Sequence, residues 1–332
     1  MSVEKIIADW KKKSFRPIYW LEGEEDYFID QVVEYAEHNI LSESEAGFNL
    51  SVFYGKDANW AEVVNACMRY PMFAERQVVL LKEAQQMRDV EKLESYVENP
   101  LASTVFVVSY KEKKVDGRTK FAKLLKEKGE FLSTKKMYDN QLPNWTNEFV
   151  QSRGFSIQPK ALQLLVEHIG NDLSRIVNEI DKLLINLGKR KEITEDDIEN
   201  YVGISKEYNV FELQHALMQK DLSRAIQIIQ YFEGNPKAAP IQQVLPVLYN
   251  FFSKVYMVYG LPSNDDKTIA AGLGVNPYFV KDYKTASLNY DFMAAQKALL
   301  LLHQYNLRSV GVNDTGTSDA SLLKELVYKI IN

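Results

Sequence analysis

The sequence predicts an α/β domain with a parallel sheet followed by an all-α region, and three observations carry that prediction. Through the first 140 residues, short apolar runs alternate with helical periods. Parallel strands need helical crossovers, so this alternation points to a parallel sheet. From about Leu142 onward no strand signal is found, and helix starts and stops recur at regular intervals. With 332 residues, 46% of them hydrophobic, the chain is long enough for two or three domains with substantial cores.

The strand candidates are "RPIYWLEG" (16–23), "AERQVVLLKEA" (74–84) and "STVFVVSYK" (103–111), each built on an apolar or β-branched run. Between them, "YFIDQVVEYAEHNIL" (27–41) gathers Phe28, Val32, Tyr35, Ala36 and Ile40 near one helical face. "WAEVVNACMRY" (60–70) does the same with Val63, Val64, Cys67 and Tyr70. Beyond Leu142, Ser156 with Pro159 is expected to open a helix that Gly170 closes. Asn171 or Asp172 caps the next, which runs to Gly188, and Thr194 with Asp197 resembles a capping box. These make a three-helix unit. Past 211 five or six helices are expected, broken by turn-forming clusters at 233–240, 260–267 and 311–319. The expected division is 1–140, 141–206 and 207–332.

A formal net charge of −5 argues against a dedicated nucleic-acid coat or a polybasic membrane anchor. One cysteine, Cys67, cannot form an internal disulfide. The opening "MSVEKIIADWKKKSF" places its lysines after an amphipathic stretch, unlike a secretory leader, so a cytoplasmic location is expected. The apolar segment 241–261 carries Gln242, Gln243, Pro246 and Lys254, which favours a buried helix over a membrane span.

The stretch "YWLEGEEDYFIDQ" (19–31) lies where a nucleotide-binding chain places its phosphate loop, a glycine-rich turn whose backbone N–H groups cradle phosphates beside a lysine. Counting from Gly23, however, Phe28, Ile29 and Asp30 stand where the second glycine, the lysine and the hydroxyl residue belong. Glu24, Glu25 and Asp26 would each repel a triphosphate by about 4 kcal/mol per close pair at moderate dielectric. The same carboxylates suit the positive end of a helix dipole with no ligand. The turn therefore reads either as a vacated phosphate loop or as an ordinary strand followed by an acid-capped helix. No strand end supplies the paired acids that hold magnesium. His38, His168, His215 and His303 follow no ligand spacing, and neither G-x-S-x-G nor H-E-x-x-H occurs. No catalytic residue, metal site or cofactor is expected.

In "CMRYPMFAERQVVLLK" (67–82), Pro71 turns the residue before it away from helix, leaving Met72 and Phe73 in the connector to the next strand. Two large apolar side chains there form either a local staple or an anchor for a partner's pocket. The basic run 111–129 has Val115, Phe121, Leu124 and Leu125 on an apolar face. Its charges are either a solvated side or a phosphate-contacting stripe.

Taken together, "PIYWLEGEEDYFID", "YPMFAERQVVLLK", "KKVDGRTKFAKLLKEKG", "GNDLSRIVNEIDKLL", "ITEDDIENYVGISKEYNVFEL" and "IAAGLGVNPYFVKDY" resemble, in order and spacing, the delta subunit of the bacterial DNA polymerase III clamp loader. The resemblance runs nearly end to end. It implies an AAA+-like first domain that binds no nucleotide, a three-helix lid, and a helical collar joining the gamma/tau and delta-prime subunits. It also implies a subunit that binds the sliding clamp (beta) and opens it, or traps it open, for loading onto primed DNA, with DNA itself contacted weakly or indirectly. The anchor maps onto Met72 and Phe73, with Pro71 and Arg76 as supports. Active members carry an arginine three residues after a glycine at the start of the second lid helix. Here Gly170 is followed at that position by Leu173, with Arg175 displaced by two, and Arg118 is not assigned a finger role. Two other readings are a divergent ATPase or nucleotide-dependent switch, and a helical adaptor that binds DNA through 111–129.

Overall fold

A computed structural model describes residues 2–236, 239–314 and 316–332, without the side chain of Asp139. The chain divides into two compact units, Met1–Met137 and Tyr138–Asn332. The first runs α1 (Val3–Lys11), β1 (Ile18–Gly23), α2 (Asp26–Asn39), α3 (Glu43–Asn49), β2 (Leu50–Tyr54), α4 (Trp60–Cys67), β3 (Gln77–Lys82), α5 (Glu94–Val97), β4 (Thr104–Lys111), α6 (Lys120–Lys128) and β5 (Glu130–Thr134). The strands form one parallel sheet in the order β2-β3-β4-β1-β5.

The uninterrupted runs of β3 and β4 are explained by burial on both faces of this sheet. Alternate residues serve opposite layers. Ile18, Trp20, Val79, Leu81, Phe106 and Val108 pack with Val63 and Cys67 of α4 and with Phe121 and Leu125 of α6. Tyr19, Leu21, Val78, Leu80, Val105 and Val107 pack with Ile6 and Trp10 of α1 and with Ile29, Val32 and Val33 of α2.

All three expected strands are present. The two that were not expected, β2 and β5, are the edges, where Ser51, Glu130, Ser133 and Thr134 break the apolar pattern. The buried stripe of α2 is Ile29, Val32, Val33 and Ala36, so Phe28, Tyr35 and Ile40 sit on its flank instead of at its centre. The fourth helix also departs from its expected face. It ends at Cys67, leaving Tyr70 exposed outside the helix.

The second unit runs α7 (Leu142–Ser152), β6 (Ser156–Ile157), α8 (Pro159–Ile169), α9 (Leu173–Asn186), β7 (Glu192–Ile193) and the single turn α10 (Glu195–Asp197), which continues through a π-helical turn Ile198–Val202. Then follow α11 (Val210–Met218), α12 (Leu222–Gly234), α13 (Ile241–Val258), α14 (Asp266–Leu273), α15 (Val280–Asn289), α16 (Phe292–Ser309) and α17 (Asp319–Ile331).

Two corrections arise here. Residues beyond Leu142 do contain strand, since β6 and β7 pair in parallel, but two residues each are too few to show a period. Ser156 therefore belongs to that pairing, and α8 starts at Pro159 with Gln158 as its N-cap. Among the described residues the last segment holds seven α-helices instead of five or six, because Gly274 closes α14 in the left-handed region and Asp291 caps a separate α16. Asp172 caps α9, and the Thr194–Asp197 capping box is present. The core of residues 213–330 is one cluster centred on α13, whose Leu248, Phe251, Phe252 and Val255 are buried. Among the described residues no helix is long and apolar enough to cross a membrane.

Candidate functional site

The chain leaves β1 for β2 at the far edge of the sheet, so the carboxyl end of β1 is the point where strand order reverses, the usual place for a ligand in an open parallel sheet. Here β1 passes into α2 after only Glu24 and Glu25. The N–H groups that would face an anion are already bonded within the protein. That of Glu24 donates to the Thr134 carbonyl at 3.4 Å, and that of Glu25 donates to Thr134 Oγ1 at 3.2 Å. Gly23 has φ +130°, and a β-carbon there would lie 2.2 Å from the Thr134 oxygen, so both backbone and packing call for glycine. Thr134 of β5 thus closes the turn. It carried no signal in the sequence, since its partners lie more than 100 residues away.

Glu22 is buried, accepting from Trp20 Nε1 at 3.1 Å and from the Val115 N–H at 2.9 Å. Burial raises its carboxyl above the ordinary value, against the pull of those bonds and of Lys114. Glu25 is buried as well, and its Oε2 has no hydrogen-bond partner among the described residues. Desolvation raises its carboxyl despite Lys136 and the N–H groups of Tyr27 and Met137, and Asp26 beside it is raised for the same leading reason.

A carboxyl with a raised folded value withholds stability at neutral pH. That stability returns as pH falls through the folded value and is complete below the ordinary 4.5 of glutamate. Glu25→Gln is therefore expected to stabilise the protein by about 1 kcal/mol at pH 7, with the gain fading toward pH 4.5. Denaturant midpoints of both proteins at the two pH values check it. A destabilised variant at pH 7 would refute the cost assigned to this charge.

The second feature is the connector between α4 and β3. The buried Gln77 carboxamide nitrogen donates to the Arg69 carbonyl at 2.6 Å and to Thr104 Oγ1 at 2.9 Å, with the carbonyls of Ala66 and Cys67 also within 3.3 Å, which ends α4 early and turns the chain outward. Pro71 follows in the turn, partly buried. Met72 is 53% and Phe73 96% exposed, and Phe73 has φ +55°. Met68 and Tyr70 are exposed nearby in the chain. Arg76 closes the connector with its guanidinium 4.1 Å from the centre of the Phe15 ring and 3.3 Å from Glu75. The staple reading fails for Phe73, whose ring touches solvent on nearly every side.

Part of the basic run is paired in place. Lys111 pairs with Asp30 at 2.7 Å, Arg118 with Asp116 at 2.7 Å, and Lys120 with Glu94 at 2.8 Å. Val115, Phe121, Leu124 and Leu125 join the core as their spacing indicates. Leu173 is buried, and Arg175 lies near enough to His168 to lower that imidazole, behind the larger effect of burial. Cys67 is buried and its thiol is pushed up by desolvation, a state that suppresses nucleophilicity. Among the described residues no group of three or more His, Cys, Asp or Glu could hold a metal ion.

An all-parallel sheet in this order, with its first strand turning into a helix at the reversal point, defines an AAA+-like domain, here followed by a mostly helical remainder. Residues 19–135 match the family described as "DNA polymerase III, delta subunit". The chain is 27% identical over 328 residues to the DNA polymerase III subunit delta of Bacillus subtilis, covering 95% of this chain and 93% of that protein. It is 21% identical over 281 residues to the probable DNA polymerase III subunit delta of Aquifex aeolicus, covering 80% and 77%. The solved structure of the Bacillus subtilis DNA clamp loader delta protein superposes with a TM-score of 0.53 at 24% identity, covering 99% of both chains. The chain is thus similar, over nearly its whole length, to the bacterial DNA polymerase III delta subunits that its motifs resemble.

Proposed function

We propose that this chain is a clamp-opening subunit that binds the ring-shaped sliding clamp through Met72 and Phe73 and holds the ring open for loading onto primed DNA, without binding ATP itself. The observation that carries the proposal is Phe73, 96% exposed on a connector whose backbone is bonded to the domain behind it. A large apolar side chain so presented has no role in its own fold and suits a hydrophobic pocket. Opening follows from differential binding, because a subunit that prefers the open ring shifts the population toward it.

In this reading the work of hydrolysis falls to gamma/tau-type neighbours. Residues 141–206 act as a lid, and residues 207–332 as a collar joining those neighbours and a delta-prime-type subunit in the cytoplasm. Primed DNA is met weakly or indirectly, in keeping with the pairing of Lys111 and Lys120 with carboxylates. The Thr134 bonds that occupy the turn after β1 favour a scaffold over a divergent ATPase. The test mixes the purified chain with the sliding clamp from the same cell and follows ring opening. Opening is expected without nucleotide, together with no binding of magnesium-ATP at millimolar concentration. Opening that requires nucleotide, or a measurable ATP affinity, would overturn the reading.

A further inference from the structure

We propose that Asn49, at the end of α3, is the positioning residue of the apolar finger and holds Met72 and Phe73 in the binding conformation before any partner arrives. The proposal rests on the clamp-binding reading of those two residues. Asn49 is 3% exposed although polar. Its Oδ1 accepts the Met72 N–H at 2.7 Å, and its Nδ2 donates to the Met72 carbonyl at 2.9 Å and to the Glu45 carbonyl at 3.1 Å.

A carboxamide offers the donor and acceptor of a peptide group, so Asn49 treats Met72 as a neighbouring strand would. Both backbone groups of Met72 are thereby satisfied, in a connector that has no ladder of its own. The bonds stop one residue short of Phe73, which leaves the left-handed turn at φ +55° with its ring in solvent. With Gln77 gripping the start of the connector and Arg76 its end, Asn49 fixes the middle. A finger ordered in advance loses less conformational freedom on binding, and that saving appears as affinity.

Leucine keeps the branching and heavy-atom count of asparagine in a bulkier side chain without its hydrogen bonds, and aspartate keeps the acceptor but sets a charge against the Met72 carbonyl. Asn49→Leu is expected to weaken clamp binding by roughly 10- to 100-fold. It should also speed hydrogen exchange at the Met72 amide while the sheet amides stay protected. Asn49→Asp should fall between Asn49→Leu and the parent, and it serves if the leucine variant does not fold. In a Phe73→Ala background, Asn49→Leu should cost clearly less than in the parent, because a positioning residue acts only through what it positions and only Met72 then remains.

If Phe73→Ala leaves affinity unchanged, the clamp reading itself fails. If Phe73→Ala weakens binding but Asn49→Leu does not, the positioning role fails alone. Additive losses in the double variant would also overturn it, since they would place Asn49 in direct contact with the clamp or in general support of the fold.

Discussion

Replacing Phe73 with alanine is expected to weaken clamp binding by about 30- to 1000-fold, or roughly 2 to 4 kcal/mol. Thermal unfolding should be unchanged. The two expectations belong together. A ring that is 96% exposed contributes almost no burial to its own domain, so its removal leaves no cavity. The left-handed backbone at this position strains phenylalanine and alanine alike, and so cancels in the comparison. All of the effect should then appear in the complex, where the ring would exchange water for an apolar pocket. Met72→Ala should act in the same direction but less strongly, because half of its side chain already rests on the domain. A titration with purified clamp reads both. Equal affinities for the parent and the Phe73 variant would remove the finger from the mechanism.

Gly23→Ala is expected to destabilise the protein by about 3 kcal/mol or more. Its β-carbon would lie 2.2 Å from the Thr134 carbonyl oxygen, 2.5 Å from its hydroxyl and 2.7 Å from its nitrogen, and φ is +130°. Two of those atoms are backbone of the paired strand β5, so relief requires prying β1 from β5 at the end of their register. A fall of roughly 10 °C in the melting midpoint of the first unit is expected. Gly47→Ala is the control, because it lies in α3 with nothing within 4 Å of its added β-carbon. That change should be neutral or slightly stabilising. A Gly23 variant as stable as the Gly47 variant would contradict the close strand contact. The comparison measures what the positive φ and the close approach of β5 cost together, with no ligand present.

The sequence read most clearly where local chemistry and burial agree. The runs of β1, β3 and β4 were visible because strands buried on both faces have no polar face to dilute the pattern. The edges β2 and β5 were not, since a half-exposed strand tolerates Ser51, Glu130 and Ser133. Caps made by a neighbour three residues away, such as Thr194 with Asp197, could be read in advance. The early end of α4 could not, because Gln77 causes it from the following strand. The same division holds for the finger. Pro71 announced that Met72 and Phe73 lie in a connector, whereas Asn49, 23 residues from Met72, carried no local sign of its role.

By itself the sequence determined that the turn after Gly23 holds no lysine at phosphate-loop spacing and that two apolar residues stand beside Pro71, because both are matters of composition at fixed spacing. Only the tertiary structure decided how the turn is closed and which way the finger points. Thr134 supplies the hydrogen bonds of the first and Asn49 those of the second. Each reaches its partner through the folding of the sheet. Hydrogen bonds between residues distant in the chain leave no period or motif to read, and folding alone brings their donors and acceptors together.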